Sequence, residues 1–266
     1  MGETAAVGVS ASRTAEPGQP SAFSAVSLVK RYRHAASPAL DDFNLEVRPR
    51  EFYGLLGPNG AGKTTAIAIL TGLLPPDSGT VRVMGMSFRE SRNEIKRILG
   101  LVPQNIGLYD KLTARENLAF FGKLCGIRGG ELRERIAWSL EFAGLIEQAG
   151  RPIATFSFGM KRRLNLAAGL FNRPRLLVLD EPCVGIDAQS RHLIHERLRD
   201  LNRQGTSILY TTHYMEEAQE LCGRIGIIDN GRLVQEGVPA TLLRQNGMTN
   251  LEELFLSLTG RELRDT

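Results

Sequence analysis

Gly57-Pro58-Asn59-Gly60-Ala61-Gly62-Lys63-Thr64 has the residue types and order needed to hold a chain of phosphates. Glycines at this spacing let the backbone turn tightly, so that successive N–H groups face inward as an anion nest. The residues that follow, Lys63 to Leu73, read as a helix whose N-terminus adds a positive end. Lys63 brings a mobile cation for the β- and γ-phosphates. The Thr64 hydroxyl, with Thr65 next to it, suits a magnesium ion. The pattern G-x-x-x-x-G-K-[ST] is informative between a strand and a helix, and the apolar run Phe52 to Leu56 precedes it here. A nucleoside triphosphate is the ligand these residues fit.

A second chemical element lies far downstream. Leu176 to Leu179 reads as a buried strand, and Asp180-Glu181 follows at its end. Asp180 is placed to hold Mg²⁺, largely through water, because Mg²⁺ keeps much of its hydration shell. Glu181 can polarise an attacking water as a general base. An acidic pair is also an ordinary way to begin a loop; the phosphate loop upstream is what gives this one a function.

The elements that must position these groups alternate. Strand-like runs at Phe23–Tyr32, Phe43–Val47, Val81–Val83 and Ile208–Tyr210 are interspersed with helical stretches at Ala188–Arg203 and Tyr214–Cys222. That rhythm is the one of an α/β domain with parallel strands. A turn cluster, Pro75 to Gly79, precedes one strand. Asp229-Asn230-Gly231 predicts a hairpin between Ile225–Ile228 and Arg232–Val234. Between about 105 and 155 the pattern turns helical: Thr113-Ala-Arg-Glu116 is a capping box, and Leu132, Ile136 and Leu140 recur on one helix face. Leu251–Leu258 predicts a last helix ending near Gly260.

Composition narrows the class. The 266 residues are 42% hydrophobic and 23% charged, enough for a sizeable core. Mean hydropathy is −0.15, and no run of eighteen apolar residues encodes a membrane span. Residues 1–22 lack an apolar core for a secretory signal and read as a flexible leader. Three cysteines, Cys125, Cys183 and Cys222, are too few and too scattered for a disulfide framework or a zinc site, and they point to the reducing cytoplasm. A net charge of +4 is too mild to imply a nucleic-acid partner.

Taken together, these residues resemble the ATP-binding cassette (ABC) ATPases over about Phe23 to Arg264. The resemblance implies a P-loop NTPase core over 23–246, with a helical subdomain at about 105–155 and an antiparallel β subdomain, and a helical tail over 247–266. It implies ATP and Mg²⁺ as cofactors. Tyr32 then matches the aromatic that stacks on adenine, and Gln104 the glutamine that joins the magnesium shell. His213, in Thr211-Thr212-His213, matches the switch histidine at the γ-phosphate. Gly185-Ile186-Asp187 matches the loop that crosses the dimer interface. The signature Leu-Ser-Gly-Gly-Gln appears as Phe156-Ser157-Phe158-Gly159-Met160, in which Ser157 and Gly159 would face ATP held by a second subunit.

Three positions depart from the family pattern. Phe158 replaces glycine, and if that backbone needs a positive φ, strain there is expected to weaken ATP-driven closure. Cys183 stands where threonine or serine is usual, and Arg50 replaces a turn glycine. The strings Arg191-His-Leu-Ile194 and Phe255 to Leu263 resemble the ATPases of ABC-2 type exporters, which include drug-resistance and nodulation-signal exporters. This resemblance implies a homodimer, or a heterodimer with a second cassette, docked on a separate permease at the cytoplasmic face of the membrane. The docking segment is expected at Gln104–Asn117, where Ile106, Leu108 and Tyr109 show no core role. The ATPase of a binding-protein-dependent importer and a soluble cassette ATPase are the alternatives.

Overall fold

Five of the apolar runs are hydrophobic on both faces, so they can only be stable inside a sheet covered on both sides. In the computed structural model, which describes residues 20–260, the chain runs β1 (Phe23–Lys30), β2 (Leu40–Val47), β3 (Phe52–Leu56), α1 (Lys63–Leu70), β4 (Ser78–Val83), α2 (Phe88–Ile98), β5 (Leu99–Val102), α3 (Ala114–Leu124), α4 (Gly129–Phe142), α5 (Phe158–Gly169), β6 (Leu176–Asp180), α6 (Ala188–Arg203), β7 (Ser207–Thr212), α7 (Met215–Leu221), β8 (Arg224–Asp229), β9 (Arg232–Gly237), α8 (Pro239–Asn246) and α9 (Leu251–Thr259). A six-stranded sheet has the order β5-β6-β7-β3-β8-β9. Its first five strands are parallel, and β9 closes the edge antiparallel to β8. Side chains alternate between two cores: Leu177, Leu179, Ile208 and Tyr210 point to one, and Leu176, Val178 and Leu209 to the other.

The second core is capped by a three-stranded antiparallel sheet, β2-β1-β4. The first is filled from the helical region, where α3, α4 and α5 pack on one another. The capping box is present: Thr113 Oγ1 accepts from Glu116 N–H at 3.2 Å, and Thr113 N–H donates to the Glu116 carboxylate at 2.8 Å. The predicted hairpin also forms, with Asn230 and Gly231 both at positive φ, as a type I′ turn requires. The α/β fold with its helical and antiparallel additions is as expected.

Several boundaries differ. The first helix stops at Leu70 rather than Leu73, because Thr71 leaves helical geometry. β4 begins at Ser78, inside the expected turn cluster. Residues 106–113 are irregular, and helix begins only at Ala114. There Leu108 is half-buried on the large core, so it has a packing role the sequence did not suggest, whereas Tyr109 is exposed. α2, β5 and α8 were not foreseen. Most of the leader and the end of the tail, residues 1–19 and 261–266, lie outside the described residues; Ala22, at the leader's end, is buried.

Candidate nucleotide site

β6, β7 and β3 are parallel neighbours, so their carboxyl ends open on one edge of the sheet, where crevices form in such folds. The register pairs Leu56 with Thr212 and Asp180 with Thr211. The phosphate loop, the acidic pair and His213 therefore emerge at the same height. Gly62 precedes α1 at φ 110°, and a Cβ there would lie 2.5 Å from the Ala39 carbonyl oxygen. No side chain caps α1, and no acidic residue occupies its first turn. Its leading amides and positive end remain available to an anion. Lys63 is the first helical residue, where the helix dipole opposes a cation unless an anion sits nearby. Its buried ammonium donates to the carbonyls of Gly57 (2.7 Å) and Pro58 (3.2 Å).

Asp180 is buried and accepts hydrogen bonds from Thr211 Oγ1 (2.8 Å) and Thr64 Oγ1 (3.2 Å). Burial raises its carboxyl above the ordinary range despite these bonds. Glu181 has φ 47°, a left-handed conformation costing roughly 1–3 kcal/mol for a residue of its kind. Its N–H donates to the Thr211 carbonyl (3.2 Å) and hydroxyl (3.1 Å). That conformation delivers the carboxylate to three partners. Oε1 is 3.2 Å from Lys63 Nζ, and Oε2 meets His213 Nδ1 at 3.2 Å and Gln104 Nε2 at 3.3 Å. Burial pushes the Glu181 carboxyl up, but the His213 bond and the Lys63 charge outweigh it and leave it below its ordinary value. The group is an ionised carboxylate at neutral pH, the form a general base needs. The Thr64 hydroxyl, the Asp180 carboxylate and the amide oxygen of Gln104 are hard oxygen donors, a set that fits Mg²⁺.

The edge thus collects Gly57, Pro58, Asn59, Gly60, Ala61, Gly62, Lys63, Thr64, Gln104, Asp180, Glu181 and His213. Tyr32, just past β1, joins them: it is half-exposed, with its hydroxyl 3.3 Å from Thr65 Oγ1. Ser157, Gly159 and Asp187 form a separate group. Ser157 caps α5 by accepting from Met160 N–H (3.2 Å), and Asp187 caps α6 by accepting from Ser190 N–H (2.8 Å). A Cβ on Gly159 would lie 2.8 Å from Asp187 Oδ2, so the two caps abut. Among the described residues, no hydrogen bond joins this group to the phosphate loop.

Phe158 corrects an expectation. It is the first residue of α5 and is absent from the positive-φ positions, so it carries no backbone strain. Its ring packs beside Gly185 and under the Arg162 guanidinium, 5.3 Å from the ring centre. The left-handed position is instead Arg50, at φ 59°. Two contributors were missed. Arg162, buried on α5, donates to the Gln104 carbonyl and tethers that loop. Thr211 buttresses both carboxylate residues. Arg162 lies in the basic run Lys161-Arg162-Arg163, which carries no sequence sign of burial, and Thr211 drew notice only as a neighbour of His213.

The ABC transporter family model matches residues 40–184. The chain is 47% identical to the linearmycin resistance ATP-binding protein LnrL of Bacillus subtilis (strain 168), over 80% of this chain and 69% of the relative. It is 44% identical to the Nod factor export ATP-binding protein I of Paraburkholderia xenovorans (strain LB400), over 81% and 71% of the two. The solved ATP-binding subunit of an ABC transporter superposes with a TM-score of 0.80 at 29% identity, covering 89% of this chain and 98% of that one. A dimeric ATP-binding cassette in a post-hydrolysis state with ADP and Pi superposes with a TM-score of 0.73 at 27% identity, over 81% and 98%. The phosphate loop and the acidic strand end lie within the matched residues, and the chain belongs to the ABC transporter family as one of its ATP-hydrolysing cassettes.

Proposed function

We propose that this cassette drives an exporter, hydrolysing ATP while docked on a separate permease at the cytoplasmic face of the membrane. The observation that carries the hydrolytic part is the Glu181 carboxylate, strained into place and held by Lys63, His213 and Gln104 beside Asp180. Export is supported by the two relatives, which are named for linearmycin resistance and Nod factor export. Among the described residues, no helix is long and apolar enough to cross a membrane. A separate subunit would supply the path.

In this reading the phosphate loop amides and Lys63 bind the β- and γ-phosphates, and Tyr32 stacks on the adenine. Thr64, Asp180 and Gln104 hold Mg²⁺, which neutralises charge on the phosphates when bound. Glu181 takes the proton from the attacking water, and His213 orients that carboxylate and reaches the γ-phosphate. Ser157 and Gly159, together at the N-terminus of α5, face the nucleotide of a second cassette across a dimer, with Asp187 at the crossing. The exposed Tyr109 and its neighbours in 104–117 meet the permease.

Glu181→Gln tests the reading. It should bind ATP with near wild-type affinity, lose about 10²–10⁴ in turnover, and accumulate as an ATP-bound dimer on size-exclusion chromatography. Wild-type turnover in this variant would take Glu181 out of the chemistry.

A further inference from the structure

Two residues beyond Glu181, the chain turns inward at the buried Cys183, and α6 and α7 bring His195 and Glu217 up to it. The Cys183 sulfur, a ring nitrogen of His195 and a carboxylate oxygen of Glu217 lie within 4.8 Å of one another. His195 is 3% exposed and Glu217 4%. Their polar atoms are not matched. Glu217 Oε2 accepts from the hydroxyls of Tyr210 (2.8 Å) and Thr212 (2.9 Å), but Oε1 is buried with no hydrogen-bond partner. His195 Nε2 is buried without a partner as well. The two orphan atoms are 3.8 Å apart, too far for a hydrogen bond.

The other face of the imidazole explains why. Nδ1 lies 3.4 Å from Glu220 Oε2, and Glu220 is held in turn by Arg199. A carboxylate on Nδ1 places the ring proton there and leaves the lone pair on Nε2. Two lone pairs therefore meet inside the protein, beside a sulfur. Arg191 Nε, 3.7 Å from Glu217 Oε1, is itself unpartnered and leaves His195 Nε2 unanswered. Buried polar atoms without partners are costly, and a cation between these would satisfy both.

We propose that Cys183, His195 and Glu217 bind a borderline-soft divalent transition ion of the Zn²⁺ class. A sulfur and an imidazole select against Mg²⁺ and Ca²⁺, which take oxygen. A nitrogen and an oxygen at about 2.0–2.2 Å from one tetrahedral ion lie roughly 3.3–3.6 Å apart, so the His195–Glu217 pair at 3.8 Å has only a few tenths of an ångström to close. On binding, the Cys183 thiol gives its proton to solvent and a sulfur–metal bond forms. Thiolate and carboxylate then cancel the two charges of the ion, and the fourth position is left to water or to the Tyr210 hydroxyl. The ion would tie α6 and α7 to the segment that carries Glu181. It would be distinct from the Mg²⁺ proposed at Asp180 in ligand chemistry and in place.

The test uses the full chain, stripped with a chelator and titrated with Co²⁺ alone. One Co²⁺ per chain should bind with visible bands of tetrahedral cobalt and a near-ultraviolet sulfur-to-metal band, all displaced by Zn²⁺. Cys183→Ser should lose the sulfur band, and Glu220→Gln should keep it while weakening affinity about 10–100-fold. Zn²⁺ should raise Tm in the wild type and not in Cys183→Ser. If Cys183→Ser does not fold, His195→Asn serves, with binding expected to be lost. Co²⁺ bound without a sulfur band, as at Asp180, would overturn the proposal. So would a band that survives in Cys183→Ser, or no binding at all.

Discussion

Arg50 and Glu181 both occupy backbone conformations that favour glycine, for unlike reasons. Glu181 sits in the site, and its strain aims a carboxylate. Arg50 lies in the tight link between β2 and β3, where its N–H donates to Ser207 Oγ (2.8 Å) and its carbonyl accepts from Asn202 (3.0 Å). Those two bonds belong to the backbone and survive a change of side chain. Arg50→Gly should therefore stabilise the protein by about 1 kcal/mol in urea denaturation, with ATPase activity unchanged. A loss of stability would show that the arginine side chain contributes more than its conformation costs. At this scale the phosphate loop was legible, because its glycines, lysine and threonine are demanded by local geometry. The strain at Glu181 was not. It is imposed by Thr211, thirty residues away on the neighbouring strand, and nothing near Glu181 in sequence signals it.

Among the elements, α5 shows how a departure from pattern can be absorbed. Its N-terminus is capped by Ser157, and Phe158 enters the first turn in helical geometry, ring against Gly185 and Arg162. Glycine there would give up helix propensity worth about 0.3–0.5 kcal/mol and a cation–π contact worth about 0.5–1 kcal/mol. Phe158→Gly should lower Tm without raising turnover, as thermal unfolding and ATPase assays can show. A faster enzyme would restore the strain explanation. The missed elements have identifiable causes. α2 buries only Ile95 and is broken at Ser91, so it offers no apolar stripe to read. β5 follows it directly, with no turn residue between. α8 did carry signals, Pro239 at its start and left-handed Gly247 at its end, and these are the marks of a helix. The capping box and the Asn230-Gly231 turn were legible because each is satisfied within a few residues.

For the molecule as a whole, the two-sided core governs the response to alkali. Tyr53, Tyr210 and Cys222 are buried, and burial raises all three above their ordinary values, helped by Glu236 at Tyr53, by Cys183 and Glu217 at Tyr210, and by Glu217 at Cys222. Each folded value lies above the unfolded one, so the unfolded chain loses its protons first. Stability is full below about pH 8.5, the unfolded thiol value, and falls as pH rises, at about 1.4 kcal/mol per pH unit for each group past its unfolded value. The limb should steepen above about pH 10, where the phenols join. Tyr53→Phe removes the bond to Glu236 (2.6 Å), costing about 1 kcal/mol at neutral pH, but should flatten that limb in denaturation series across pH. An unchanged slope would mean that Tyr53 does not titrate on unfolding. The alternation of strand and helix made the α/β class readable, whereas strand order was not, since β3 skips to neighbours far along the chain. That skip has a consequence during synthesis. Phe52 pairs with Ile208, about 155 residues later; at about 5–20 residues per second a ribosome needs roughly 8–30 s to supply the partner. Throughout that interval the nascent chain carries a glycine-rich loop with no acidic pair and no histidine beside it. The sheet edge that carries the phosphate loop is therefore completed only after β7 and β8 emerge, and Lys63 meets Glu181 there only then.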